Sequence, residues 1–178
     1  MISDDIEADI RSLDDIVGEL NREAAKHKAA RDKYNQQASV LAEKRNKLQD
    51  RARKLVAEAK VVRQRRDDYN ISAREAKAKR EEWNDKVAQM LARGGLGDVG
   101  EAKSQSQQYH QKVVKLSASG QAAHEKMTQL YADADKAREE AQQAHEQYLV
   151  CRRAADAEHE KYIAAVRKIE RVRDNLPD

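Results

Sequence analysis

The stretch Ala92-Arg93-Gly94-Gly95-Leu96-Gly97-Asp98-Val99-Gly100-Glu101 decides how this chain folds. It holds four of the six glycines, and glycine gains the most backbone freedom when a helix is given up. On either side the sequence offers helices no comparable interruption. The only proline is Pro177, so no residue of that kind breaks the chain before its end. Asp98 followed three residues later by Glu101 has the spacing of a capping box, with Asp in place of Ser or Thr. We therefore expect a helix over about 4–92, a glycine-rich turn over 93–98 at Gly94, Gly95 and Gly97, and a second helix over about 99–175.

Upstream of the turn, steps of seven from Ile6 pass through Leu13, Leu20, His27, Tyr34, Leu41, Leu48, Leu55, Val62, Tyr69, Ala76, Trp83 and Met90. A companion row four residues on carries Ile10, Val17, Ala24, Arg31, Ala38, Arg45, Ala52, Ala59, Arg66, Ala73, Arg80 and Val87. Two such rows are the seam of a left-handed coiled coil. A helix of this length would reach about 130 Å. Downstream, a second seam runs through Val113, Gly120, Met127, Ala134, Ala141, Tyr148, Ala155, Tyr162, Ile169 and Leu176, with Leu116, Ala123, Leu130, Ala137, Ala144, Cys151, Glu158, Ala165 and Val172 three residues later.

An antiparallel hairpin pairs residues whose numbers add to a constant, and a turn at Gly94 and Gly95 selects 189. The resulting partners are Leu13 with Leu176, Leu20 with Ile169, Tyr34 with Ala155, Leu41 with Tyr148, Leu48 with Ala141, Leu55 with Ala134, Val62 with Met127 and Tyr69 with Gly120. Large residues mostly meet small ones, as dense packing in a narrow interface requires. Independently, Arg31, Arg45, Arg66 and Arg80 are spaced 14, 21 and 14, and so are His110, His124, His145 and His159. Reversed, each Arg and its His add to 190, which sets them level across the hairpin as register-fixing polar pairs. The fold class is therefore all-α: one elongated domain over 1–178, a long antiparallel two-helix coiled-coil hairpin. Pairing of two hairpins into a four-helix homo-oligomer is left open.

Composition agrees. Charged residues make up 38% of the 178 and aromatics 4%, with no Phe, a balance suited to long helices rather than a deep core. No stretch approaches the roughly 20 apolar residues of a membrane span, and the N-terminus MISDDIEADI is acidic where a signal peptide is basic, so we expect no membrane partner and a cytoplasmic location.

Catalytic chemistry finds little footing. Asp133-Ala-Asp135 sits in mid-helix rather than at a strand end, Cys151 occupies a seam position facing Ala38 and reads as a buried small hydrophobe, and the glycine cluster lacks the Lys-Ser/Thr of a phosphate loop. The histidines lie two or more turns apart, too far for a shared metal on one helix, although Glu125, Glu146 and Glu160 stand near enough to bridge to the arginines. We expect no enzyme, cofactor, metal or small-molecule substrate.

The functional signal is charge. Between Lys44 and Arg66 ten bases meet only Asp50 and Glu58. A line of such bases neutralises phosphates without reading sequence. Lys44, Lys47, Arg51, Arg53, Lys54, Lys60, Arg63 and Arg65 are the candidate nucleic-acid contacts, and the alternative is a scaffold or spacer that binds protein.

The phrases AEKRNKLQDRARKL, RRDDYNISAREAKAKREEWNDKV and AHEKMTQLYADADKAREEAQQAHEQYLVCRRAADAEHEKYI resemble a family of uncharacterised archaeal coiled-coil proteins, sometimes labelled phosphoserine phosphatase. That family is similar in turn to the eukaryotic nuclear segregation and brefeldin-resistance protein, which associates with polysomes. The resemblance implies RNA or ribosomes as the partner. The phosphatase label finds no strand or nucleophile context in this chain.

Overall fold

A computed structural model describes residues 2–95 and 98–174, with side chains from residue 13 onward. Gly97 and the Leu13–Leu176 pair lie outside the described residues. Two long helices, α1 (Ile2–Ala92) and α2 (Val99–Asp174), pack against each other as an antiparallel hairpin, and no strand occurs among the described residues.

The turn follows from its glycines. The Gly95 amide donates to the Met90 carbonyl at 3.0 Å and the Gly94 amide to the Leu91 carbonyl at 3.2 Å. This crossed pair of bonds closes a helix only when the residue after its last turn is left-handed. Gly94 and Gly95 have φ of 83° and 74°. At the start of α2, Asp98 Oδ1 accepts the Glu101 amide at 3.0 Å, satisfying one of the amides that a helix leaves without an internal partner.

Packing divides the chain into two compact units, Met1–Gln49 with Glu139–Asp178 and Asp50–Arg138. In the first, Ala24, Ala38, Ala141, Ala144, Ala155, Ala165 and Ile169 are buried. In the second, Ala59, Val62 and Leu130 form a cluster flanked by Leu55, Ala123, Met127 and Tyr131. Val62 beside Met127 and Ala59 beside Leu130 both follow the 189 register. So does Gly120: a Cβ there would lie 3.7 Å from the Cβ of Tyr69.

Most buried positions are alanine because a two-helix seam has only two walls. A small side chain is covered completely and a large one is left partly in water. No large side chain is fully buried, and no polar residue is buried, among the described residues. The same geometry corrects the reading of Cys151, which is half-buried rather than enclosed, its Sγ 4.0 Å from Gln37 Oε1.

Candidate functional site

All eight candidate phosphate contacts are exposed. Lys44 and Lys47 belong to the first unit; Arg51, Arg53, Lys54, Lys60, Arg63 and Arg65 belong to the second. Within the second unit the heptad phase places Arg51, Lys54 and Arg65 on one flank of the seam and Arg53, Lys60 and Arg63 on the other. The two acids of this run are already engaged. Asp50 lies 3.4 Å from Arg53, and Glu58 pairs across the seam with Lys126 at 3.0 Å. Among the described residues, Arg53 is the one base of the eight with an ion-pair partner.

The arginine–histidine pairs form rungs across the seam. Nη1 of Arg31 lies 3.4 Å from Nδ1 of His159, that of Arg45 3.3 Å from His145, and that of Arg80 3.3 Å from His110. A guanidinium only donates, so each Nδ1 accepts and the ring proton sits on Nε2. The fourth pair is not formed: Arg66 and His124 line the same groove, but Nη1 of Arg66 approaches the Met127 sulfur at 3.7 Å instead. Nor do the glutamates bridge the rungs as their positions allowed. Glu125 and Glu146 accept bonds from Gln121 and Gln142, four residues back on their own helix.

Two further features of the rungs depend on neighbours that the heptad rows pass over. First, the Nε and Nη2 edge of three arginines grips the oxygen of the next residue: Asp32 for Arg31, Asn46 for Arg45 and Asp67 for Arg66, at 2.6–3.2 Å. Second, the residue three beyond each histidine supplies a wall. Arg31 stands over the Tyr162 ring at 5.7 Å and Arg45 over Tyr148 at 5.8 Å, with His159 and His145 stacked on the same rings. These are cation–π contacts at the usual distance.

One polar cluster was not anticipated. His27 Nδ1 lies 2.6 Å from Glu158 Oε2, and Lys161 Nζ lies 2.7 Å from Glu158 Oε1. Lys161 first and His27 second hold the Glu158 carboxyl below its ordinary range. Both His27 and Glu158 stand in the seam rows, but their numbers add to 185, four short of the register, so the pair spans about one helical turn and the level pairs do not mark it.

The sequence profile of a family of unknown function, DUF7121, matches residues 17–95 and 93–177, one match on each helix. The chain belongs to that family. No curated protein and no solved structure matches it. For this DUF7121 chain the geometry therefore carries the functional argument. No helix among its described residues is long and apolar enough to cross a membrane, and no group of three His, Cys, Asp or Glu among them is placed to hold a metal.

Proposed function

We propose that this chain is a non-catalytic coiled-coil factor that associates with RNA, free or in the ribosome, through the bases of its first helix. What supports the reading is the exposed run in which Glu58 is engaged by Lys126 and Asp50 by Arg53, leaving seven of the eight candidate bases without an ion-pair partner among the described residues. Such a surface releases counterions on meeting phosphate, so its affinity falls steeply as salt rises. Co-sedimentation of the full chain with ribosomes from its own cells, with and without nuclease and at about 50 against 200 mM salt, tests it. Recovery in the ribosome-free fraction at low salt would overturn the reading.

A second reading, self-association as a scaffold, is favoured by a different observation. In the first unit an open groove of about 800 Å³ is walled by Val40 and Val150, which are 62% and 60% exposed. Lys33 and Glu146 lie toward opposite ends of it, so an antiparallel second copy sets the lysine of one chain near the glutamate of the other. The expected outcome on this reading is a dimer in sedimentation equilibrium that Val40→Glu with Val150→Glu returns to monomer.

A further inference from the structure

Four arginines share one seam row, and three of them have their Nε and Nη2 edge engaged. Arg31, Arg45 and Arg66 each turn the Nε and Nη2 edge onto a short oxygen-bearing side chain directly after them. Arg80 is followed by Glu81, one methylene longer, and that bond is not made. The Arg80 Nε is shut off from solvent and has no hydrogen-bond partner. The wall differs as well. Where Arg31 and Arg45 lie over tyrosine rings and Arg66 reaches a sulfur, the residue three beyond His110 is Val113, which accepts nothing.

Around Arg80 the second unit forms a groove of about 370 Å³ whose lining includes Asn84, Lys103, Ser106 and His110. Its chemistry is one-sided. No Asp or Glu lines it. Ser106 donates its hydroxyl to Asn84 Oδ1 at 2.5 Å, which leaves the Asn84 amide N–H groups as the free end of that side chain. The Arg80 contact to Nδ1 leaves the His110 proton on Nε2. Two cations, an amide and an imidazole N–H therefore border one groove in which donors outnumber acceptors, and the natural complement is a compact anion with several acceptor oxygens.

We propose that this groove is a phosphate-binding site, with Arg80 gripping the anion through the edge that its three counterparts close on Asp32, Asn46 and Asp67, and Lys103 supplying the second charge. Because Nε is covered, binding requires the guanidinium to swing into the groove, a rotation open to a half-buried side chain. The site does not rest on the RNA reading. Its phosphate comes either as the free ion or from a nucleic-acid backbone, and two titrations separate these sources.

The experiment follows the arginine Nε–H and histidine resonances of the full chain by NMR, adding inorganic phosphate in one arm and a short RNA without terminal phosphates in the other. Saturable shifts at Arg80 and His110, with Arg31, Arg45 and Arg66 unmoved by inorganic phosphate, are expected from a free-phosphate site. Shifts at Arg80 and His110 with RNA alone assign the backbone as the source. Lys103→Gln, an exposed change that spares the fold, is expected to weaken binding about tenfold, as loss of one charge-assisted contact does. Arg80→Gln is expected to abolish it. Absence of saturable shifts in both arms, or equal shifts at all four arginines, would overturn the proposal. The triple reversal Lys54→Glu, Arg63→Glu and Arg65→Glu leaves the inorganic-phosphate titration intact, so failure of the RNA reading and failure of this site are told apart.

Discussion

Each unit pairs its helices in the same register, yet the two dispose of charge in opposite ways. The first carries 16 Lys or Arg against 19 Asp or Glu, the second 19 against 13. In the first unit the seam arginines are closed: each has a neighbouring oxygen, a histidine and a tyrosine face. In the second, Arg66 makes do with an aspartate and a sulfur, and Arg80 keeps one nitrogen unmatched. Closing a guanidinium on all sides spends its charge inside the fold and yields alignment. Leaving it open keeps the charge available to something else. The same residue type in the same heptad position is thus engaged along its Nε and Nη2 edge at Arg31, Arg45 and Arg66 and keeps a nitrogen without a partner at Arg80.

The largest expected effect breaks this contrast directly. Reversing Lys54, Arg63 and Arg65 to Glu in the second unit should lower RNA affinity by roughly two to three orders of magnitude and flatten its dependence on salt. Reversing the exposed Arg22, Lys26 and Lys28 of the first unit in the same way should change it by less than about threefold, since phosphate contacts act where the bases meet the ligand. Fluorescence anisotropy with a labelled RNA measures both. Equal losses from the two triples would show that net charge, not the second unit, governs binding.

The fold was legible because it rests on periodicity. Heptad rows locate the seams, Gly94 and Gly95 locate the turn, and the 14-21-14 spacing of Arg and His aligns three rungs as hydrogen-bonded pairs. The state of each rung was not legible from that spacing. It depends on one methylene between Asp and Glu at the next residue, and on whether a tyrosine, methionine or valine stands three beyond the histidine. The missing Arg66–His124 contact has that cause, because the flexible Met127 comes within reach of the guanidinium. Cys151 was misjudged for a related reason: a seam position implies enclosure only when a third wall exists, and here it opens on the groove beside Val150. The exposure of the eight candidate bases could be read from the heptad phase, whereas the engagement of Glu58 by Lys126 required the partner helix.

Packing provides a second comparison. Val62→Ala and Leu130→Ala each remove bulk from the cluster of the second unit and should cost about 2 kcal/mol in urea unfolding, toward the lower end for core truncations because the seam is open on two sides. In the first unit, Ala38→Cys should form an intrachain disulfide with Cys151 under mild oxidation, because the register sets them level. Crosslinks only between chains would break the register there. Glycines separate more finely. Gly94→Ala forces a left-handed residue and should cost about 1 kcal/mol. Gly120→Ala meets only the tip of Asn70, whose Oδ1 would lie 2.9 Å from the new Cβ and can turn aside, so gained helix propensity should leave the variant as stable as the parent or up to about 1 kcal/mol more stable.

The smallest effect is a difference in pH dependence between the units. Glu158 of the first unit is held below the ordinary carboxylate pKa of 4.5 by Lys161 and by His27 on the opposite helix, and Glu82 of the second by Lys79 on its own helix. A carboxylate with a depressed folded pKa stabilises the fold fully above 4.5, and that contribution is lost as pH falls through the folded value. Glu158→Gln should therefore flatten the acid limb of the thermal-unfolding profile while leaving its shape above pH 5 unchanged where only carboxylates are concerned. Glu82→Gln should move the acid limb less, because an exposed pair within one turn of one helix survives much of the separation of the two helices. Circular dichroism melts from pH 3 to 8 read both variants. A larger response from Glu82→Gln than from Glu158→Gln would mean that contacts across the seam contribute less to cohesion than those along each helix.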